Sequence, residues 1–262
     1  ATSLFKMLSE TLLEEITICP FHNAIAFKIF EKISEATDKL FYMASGNSLG
    51  LLKYGGQLPW DDDIDVGFAS SCSNFSDFFD FVKKVLRENT DFFVMVNMTV
   101  DGNEVFQKLG YDISFEEFEK TKLQSVNFVN FSIDLEKLQS LHKLEPTAQK
   151  YIWKTGQPVI PWVDVFPFQN LKNNNLISHN PLTPSLTAPF IPRQIFNRLT
   201  IKMPVDLSFK VFQNYSSCCD NDKIFCHIKD KTHTIPQSHF NETSKFVREY
   251  NKRLAHLIEK LE

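Results

Sequence analysis

Residues 46–67 read GNSLGLLKYGGQLPWDDDIDVG, a glycine-rich segment followed by four aspartates within five positions. Carboxylates packed this closely repel one another, so a folded chain keeps such a cluster mainly where a cation neutralises it. Trp60 precedes the acids and Ile64 alternates with the last two, as in a half-buried β-strand. Asp63 and Asp65 then project from one strand face, which predicts a site for Mg²⁺ or a similar oxygen-seeking ion. An acidic surface turn beside a helix cap is the alternative, and the large apolar neighbours disfavour it.

The glycines before the acids predict an anion-binding turn. A short apolar strand over 40–44 is expected to lead into this turn, which opens a helix over 49–54. Backbone N–H groups at the start of a helix can bind a phosphate, and a lysine in the helix adds positive charge. The strand, the turn, the helix and the returning acidic strand together predict a site for a metal-bound diphosphate. The residues assigned to substrate binding are Gly46, Asn47, Ser48 and Lys53.

These residues resemble the signature of the LicD family, which runs G-T-L-L-G, a basic pair, and then G-x-x-P-W-D-D-D-I-D. Residues 46–50 match the first part, and residues 56–65 match the last part. Asn47 stands where many members have Thr, and Lys53-Tyr54 stands where many have Arg-His. The family includes bacterial phosphocholine transferases and the fukutin and fukutin-related transferases. The resemblance implies a fold of the polymerase-β-type nucleotidyltransferases.

A further acid, Asp164, lies in the strand-like apolar run over 157–168. An unpaired carboxylate buried in a sheet costs several kcal/mol, so this one is expected to reach solvent or to be matched by a cation. In the LicD family, an acid in a similar V-D-h-F-P context provides the third carboxylate of the metal site, and Asp164 matches it. An edge-strand aspartate that faces water is the alternative. The metal ligands implied in this way are Asp63, Asp65 and Asp164.

The expected fold class is α+β, with a polymerase-β-type nucleotidyltransferase core, a mixed β-sheet flanked by helices, and a C-terminal helix. The 262 residues are long enough for one large domain, and we expect a single LicD-like catalytic domain over 1–262. Within it we expect N-terminal helices over 1–39, the core sheet with its acidic site over 40–168, and a loop and helical part over 169–262.

Hydrophobic periodicity and turn residues predict the other elements. The phenylalanine-rich stripes among them are expected to be core rather than a binding surface. Solvated charge is expected for the basic residues Arg193, Arg198 and Lys202, and a surface or capping position for His22. The pattern predicts helices over 1–15, 23–39 and 75–87, a hairpin of strands over 92–100 and 105–111, a strand over 125–134, a long surface loop over 171–187, and a packing helix over 240–262.

Three carboxylates, a glycine turn and a lysine fit transfer of a phosphoryl ester from a nucleotide diphosphate to a hydroxyl, with Mg²⁺ or Mn²⁺ as cofactor. Asp61 is the candidate to orient or deprotonate the attacking hydroxyl, and Asp62 is expected to be structural. The resemblance implies a CDP-choline or CDP-ribitol donor, a glycan acceptor and release of CMP. Mannosylphosphate transfer from GDP-mannose is an alternative, because fungal relatives are associated with it. A catalytically silent glycan-binding relative is another, and the intact acid set argues against it.

Charge and sequence motifs bear on partners and compartment. The net charge of −4 gives no general attraction to nucleic acid, and no stretch approaches 18 consecutive apolar residues. The start at Ala-Thr-Ser suggests a trimmed chain whose missing N-terminal part could carry a membrane anchor. Five N-x-S/T sequons favour the secretory pathway, with the Golgi lumen expected and the cytoplasm as alternative. These sequons lie at Asn74, Asn97, Asn130, Asn214 and Asn241.

The five cysteines fit neither a complete disulfide framework nor a standard zinc site, since their number is odd and no C-x-x-C pair occurs. The favoured bridge joins Cys218 or Cys219 to Cys226. A zinc site that adds His227 or His233 to these cysteines is the alternative.

Overall fold

The computed structural model describes residues 18–70, 76–100, 103–107, 126–145, 160–170, 175–178, 185–186, 188–204, 223–228, 231–236 and 240–262. The helices in these residues are α1 (Pro20–Glu35), α2 (Ser45–Tyr54), α3 (Ser76–Glu88), α4 (Leu135–His142) and α5 (Phe240–Lys260). The strands are β1 (Phe41–Met43), β2 (Asp63–Ser70), β3 (Phe92–Val100), β4 (Asn103–Gln107), β5 (Val126–Ile133), β6 (Trp162–Asn170), β7 (Leu176–Ser178), β8 (Phe190–Ile195), β9 (Leu199–Pro204), β10 (Lys223–Ile228) and β11 (Lys231–Pro236).

Nine of these strands form one mixed sheet, in the order β4-β3-β5-β6-β2-β1-β9-β8, with β7 beside β6. The pairs β2–β6 and β1–β9 are parallel, and the other pairs in the sheet are antiparallel. Strands β10 and β11 pair only with each other among the described strands. The chain is therefore mixed α and β, with helices around a mixed sheet and a C-terminal helix, which confirms the expected fold class and is consistent with a nucleotidyltransferase-like fold.

One face of the sheet is the aromatic core. Ile64, Val66 and Phe68 point to this face because side chains alternate along β2, and each is almost fully buried. The Phe68 ring stacks on Phe81 of α3 with centroids 4.7 Å apart. Aromatic side chains bury large areas, and ring pairs with this spacing stabilise the fold beyond the contribution of the buried area. The prediction that the phenylalanine stripes form core is confirmed.

The opposite face carries the acids, and we call it the acid face. Asp65 of β2 lies directly beside Asp164 of β6 in the parallel register. On the other side, Tyr42 of β1 pairs with Gly67 and with Lys202 of β9. Residues directly opposite one another on neighbouring strands share a face. The acid face therefore continues from the aspartates across β1 to a tyrosine and a lysine.

Helix α2 begins earlier than the sequence predicted. The expected glycine turn before a helix over 49–54 is wrong, because the helix starts at Ser45 and includes Gly46 and Gly50. Its first internal hydrogen bond runs from the Ser48 N–H to the Ala44 carbonyl, 3.1 Å away. The anion-binding end of the helix therefore lies at residues 45–47, directly after β1.

The segment over 171–187 is not a surface loop throughout, contrary to prediction. Within its described residues, β7 pairs with β6, and Leu176 and Leu186 exchange backbone hydrogen bonds of 2.8 Å. Both leucines are almost fully buried. Backbone pairing with β6 and burial of these two leucines attach the described part of the segment to the sheet.

The remaining predictions mostly hold in position. The structure confirms, within a few residues, the strands over 92–100 and 125–134, the two strands that carry the acids, and the helices over 75–87 and 240–262. The predicted helix over 1–15 lies outside the described residues. The predicted helix over 23–39 is α1, which starts at Pro20, a residue suited to a first helical turn. Among the described helices, none combines the length and the apolar character needed to cross a bilayer.

Helix α5 packs along α1 with Val247, Leu254 and Leu257 buried. Beyond the C-terminal end of α5, Glu262 pairs with Arg198 at 2.6 Å. Arg198 also pairs with the buried Glu31 of α1. This ion pair lowers the pKa of Glu31 through hydrogen bonds from Arg198 and Lys28 that outweigh its burial. Arg198 is therefore structural rather than simply solvated.

Candidate active site

Three carboxylates meet where β2 and β6 begin. Asp63, Asp65 and Asp164 each offer an oxygen, and these three atoms lie within 4.8 Å of one another. Strand alternation puts Asp63 and Asp65 on one face, and the parallel register brings Asp164 beside Asp65. All three are half-buried, which excludes the acidic surface turn and the water-facing edge strand as readings of this cluster.

The electrostatics of the cluster favour a bound cation. The pKa of the Asp65 carboxyl is raised well above its usual value, first by burial and then by the charges of Asp63, Asp164 and Asp61. A hydrogen bond from Ser45 opposes this shift. Oxygen donors from clustered carboxylates suit Mg²⁺ and Mn²⁺, so these three residues fit a divalent ion.

Neighbouring polar groups fix two of the three carboxylates. Trp162 Nε1 donates to Asp63 Oδ2 at 3.3 Å, and Asn130 Nδ2 donates to Asp164 Oδ1 at 2.8 Å. Asn130 is only 3 % exposed, so it cannot accept a glycan in the folded protein, and one of the five sequons is not a modification site. Hydrogen-bonded neighbours of this kind orient metal ligands.

Asp61 lies just before β2 and beside α2. Its Oδ2 accepts from Asn47 Nδ2 at 3.2 Å. A Cβ added at Gly46 would lie 2.9 Å from the same oxygen, so only glycine lets the carboxylate come this close to the helix. Asp61 also contributes to the raised pKa of Asp65, which places it next to the three-acid cluster but not among the three converging oxygens.

The side chain of Asn47 is buried and supports the loop before the acids. Its side chain is 2 % exposed, donates to Gln57 Oε1 at 2.9 Å and to the Asp63 carbonyl at 3.0 Å, and accepts from the Asp65 N–H at 2.5 Å. Donors and acceptor are all used within the protein. The side chain of Asn47 therefore positions the loop, and substrate binding by Asn47 through its backbone N–H stays a prediction.

Both polar groups of Ser48 that could donate are enclosed within the protein. Its N–H is used in the first helical hydrogen bond, and its hydroxyl is fully buried without a hydrogen-bond partner. The backbone of Lys53 lies in the last turn of α2. The N–H groups left without a partner inside the helix are those of residues 45–47, which include Gly46 and Asn47 but not Ser48, and phosphate binding by these groups stays a prediction.

The backbone at Ser45 is strained next to the acids. Its φ of 44° lies in the left-handed region, which costs a residue other than glycine about 1–3 kcal/mol. The same residue donates a hydrogen bond to Asp65. Strain of this kind persists where the surrounding contacts impose it, as they do between β1 and α2.

Comparison with known protein families identifies the family to which this chain belongs. A family model described as LicD/FKTN/FKRP, nucleotidyltransferase domain, matches residues 40–172, just over half of the chain. The chain belongs to the LicD family. We found no match among curated proteins and none among solved structures. LicD membership supports a transferase of the phosphotransferase type that modifies glycans, and it supports use of a divalent metal and of a nucleotide-linked donor in general.

Several residues of this LicD site were missed by sequence reasoning. Asn23 of α1 donates to the Asp61 carbonyl at 3.0 Å. His22 donates from Nε2 to the Asp62 carbonyl at 3.1 Å and is 8 % exposed, so the predicted surface or capping position is wrong. The available signal was a pair of polar residues in the otherwise apolar first half of α1, residues 20–27. The contact of Asp62 is through its backbone carbonyl, and the structural role of its side chain stays a prediction.

The cysteine predictions stay open. Cys218 and Cys219 lie outside the described residues, and Cys226 lies in β10 with backbone opposite His233 of β11. Cys19 is a free, half-buried thiol whose pKa is raised by burial.

Proposed function

We propose that this protein moves a phosphoryl-linked head group from a CDP-activated donor, CDP-choline or CDP-ribitol, to a glycan hydroxyl and releases CMP. The observation that carries this proposal is the meeting of three carboxylates with the N-terminus of α2, in a LicD chain, at the end of the sheet where β2 and β6 begin. Carboxylates need a cation, and a helix N-terminus attracts an anion. A metal-bound diphosphate satisfies both.

Asp63, Asp65 and Asp164 would hold Mg²⁺ or Mn²⁺ in this proposal. A bound divalent ion neutralises charge on a diphosphate and on the departing phosphate. The protein itself fixes its carboxylates through Trp162 and Asn130 before any substrate arrives. Such preorganisation is the main contribution that a protein makes to phosphoryl transfer.

The remaining roles fall to α2 and Asp61. Backbone N–H groups of residues 45–47 bind an oxygen of the diphosphate. The acceptor hydroxyl oxygen forms a bond to the phosphorus of the head group, the bond from that phosphorus to the bridging oxygen breaks, and CMP leaves with that oxygen. The hydroxyl proton passes to the Asp61 carboxylate, which Asn47 and Gly46 hold beside the acid cluster.

Lys202 is a candidate for binding the donor. It shares the acid face with Asp65, one strand beyond Tyr42, and its Nζ lies 5.6 Å from the centroid of the Tyr42 ring. Changing Lys202 to Met should raise the KM for the donor about tenfold, equivalent to about 1.4 kcal/mol, with kcat little changed. Lys252→Met on the exposed side of α5 is the matched control and should change neither constant. A donor KM that Lys202→Met leaves unaltered would remove Lys202 from the site.

The test of the function is a donor screen that follows release of nucleoside monophosphate. CDP-choline, CDP-ribitol and GDP-mannose are each supplied with Mg²⁺ and acceptor glycans. We expect CMP release from one of the CDP donors, with a phosphodiester formed on the sugar. GMP release would replace the proposed donor by GDP-mannose, and no metal-dependent release from any donor would favour a silent glycan-binding protein.

We further propose that the chain forms one catalytic domain and acts in the secretory pathway, where glycan acceptors are made. The sheet spans β1 to β9, and α5 returns to pack on α1, which supports a single unit. The buried Asn130 leaves four sequons as support for the compartment.

A further inference from the structure

We propose that Asn251 of α5 is a positioning residue for the acid site and acts through Gln57 and Asn47. This inference rests on the proposed function, because it assumes that the acid cluster binds a divalent cation. It adds a residue from a helix that lies outside the family match over 40–172. The sequence had assigned only packing to this helix.

The first step is a two-point contact between α5 and the loop that precedes the acids. The Gln57 N–H donates to Asn251 Oδ1 at 2.8 Å, and Asn251 Nδ2 donates to the Gln57 carbonyl at 2.9 Å. Asn251 Nδ2 also donates to the Val247 carbonyl within α5, at 2.8 Å. One side chain therefore holds both backbone groups of a loop residue and is itself held by its own helix.

Gly56 makes this contact possible. A Cβ built at Gly56 would lie 2.6 Å from Asn251 Cγ, and no side chain could be accommodated without displacing the amide. The φ of Gly56 is not in the left-handed region, so the glycine is required by this close approach and not by backbone conformation.

The second step runs from Gln57 to the ligands. The Gln57 side chain is 3 % exposed, accepts from Asn47 Nδ2 at 2.9 Å and donates to the Asp63 carbonyl at 3.1 Å. Asn47 in turn accepts from the Asp65 N–H at 2.5 Å. The contacts that begin at Asn251 therefore end on the backbone of two of the three proposed ligands.

Through these contacts, Asn251 helps to fix the positions of Asp63 and Asp65, two of the three proposed metal ligands. Metal affinity depends on where the carboxylate oxygens lie, and loss of a neighbour that orients ligands typically lowers affinity or activity about 10–100-fold. A helix that merely packs would lower stability without a specific change in metal affinity. The two roles can therefore be separated by measuring both quantities.

The experiment compares Asn251→Ala with wild type and with Asn89→Ala, using full-length protein. Asn89 is a matched control, since its Nδ2 also donates to the carbonyl four residues earlier, Val85, at 3.0 Å, and it follows α3, which covers the aromatic face of the sheet. Mn²⁺ affinity is read from electron paramagnetic resonance, and the melting temperature is measured alongside. We expect about 10–100-fold weaker Mn²⁺ binding in Asn251→Ala and unchanged binding in Asn89→Ala.

Two further variants guard against a folding defect. Asn251→Asp keeps the size of the side chain but loses the donor to the Gln57 and Val247 carbonyls, so it should weaken Mn²⁺ binding as Asn251→Ala does although no cavity is created. Gly56→Ala should weaken Mn²⁺ binding in the wild-type background, but should have no added effect on Asn251→Ala, because the atoms it would meet are then gone. Additive losses would contradict the proposed contact.

The outcomes separate this inference from the function it rests on. Wild type that binds no Mn²⁺ would overturn the proposed metal site, and the inference with it. Wild type that binds Mn²⁺, together with equal affinity in Asn251→Ala, would overturn the inference alone. Turnover of Asn251→Ala that recovers at saturating Mg²⁺, in a protein whose metal-free melting temperature matches that of Asn89→Ala, would support it, since a folding defect alone would lower that melting temperature.

Discussion

Asp65→Asn should abolish turnover and yet raise the stability of the metal-free protein. Stabilisation of transition-state charge by a bound divalent ion is worth several kcal/mol, and each 1.4 kcal/mol is tenfold in rate, so we expect a loss of about 10³-fold or more. The same substitution removes one of three mutually repelling carboxylates. Each kcal/mol of stability gained should raise the melting temperature by about 2–4 °C in a chain of this size.

The raised pKa of Asp65 predicts how the stability of the metal-free protein changes with pH. The folded-state pKa of Asp65 is raised, so the folded protein holds a proton that the unfolded chain releases near its ordinary pKa of about 3.9. The stability from this group is fully present below that ordinary pKa and is lost as the pH rises through the raised one. Metal-free wild type should therefore lose stability over this window, while Asp65→Asn should lose less.

The measurement is a set of melting curves across pH, with and without Mg²⁺, beside initial rates of CMP release. Asp91→Asn is the matched control, because Asp91 is half-exposed, lies away from the acids and pairs with Lys137 at 3.5 Å. It should leave turnover and the effect of metal unchanged. An Asp65→Asn protein that melts lower than metal-free wild type at neutral pH would show that carboxylate repulsion is not released.

Gly50→Ala should cost more stability than the same substitution at Gly46 or Gly55. A Cβ at Gly50 would lie 2.6 Å from the Gly56 carbonyl oxygen and 3.1 Å from the Leu58 N–H nitrogen. Both are backbone atoms, so α2 and the loop would have to separate. Overpacking of this kind typically costs about 1–3 kcal/mol, and here it would also move the loop that positions Asp63 and Asp65.

Thermal unfolding and turnover measured together test this prediction. Gly55→Ala is the matched control: Gly55 has a φ of 75°, but a Cβ there would meet nothing within 4 Å. Its expected cost is about 1 kcal/mol of backbone strain, with turnover largely retained. If Gly50→Ala melts no lower than Gly55→Ala, close approach does not explain the second glycine of the motif.

The acidic site could be predicted from the sequence because its determinants are local. Alternation along β2 places Asp63 and Asp65 on one face, and the LicD motif supplied Asp164 as their partner. The start of α2 could not be predicted, since it depends on its strained first residue, Ser45, which donates to Asp65. Propensity alone favours a turn at consecutive small residues.

The contacts that hold the site together were not predictable for a different reason. Asn251 lies 194 positions from Gln57, and Asn23 lies 38 positions before Asp61. Single polar residues on apolar helix faces carry no pairing information, so tertiary packing alone decides which backbone groups they meet. The same limit applies to Asn130, which reads as a sequon in the sequence and is a buried partner of Asp164 in the structure.

The most direct test of the metal centre is a Mn²⁺ titration followed by electron paramagnetic resonance. Wild type should bind one ion per chain that Mg²⁺ displaces, and Asp65→Asn and Asp164→Asn should each lose this binding while remaining folded. Equal Mn²⁺ affinity in wild type and both variants would contradict a metal centre at Asp63, Asp65 and Asp164.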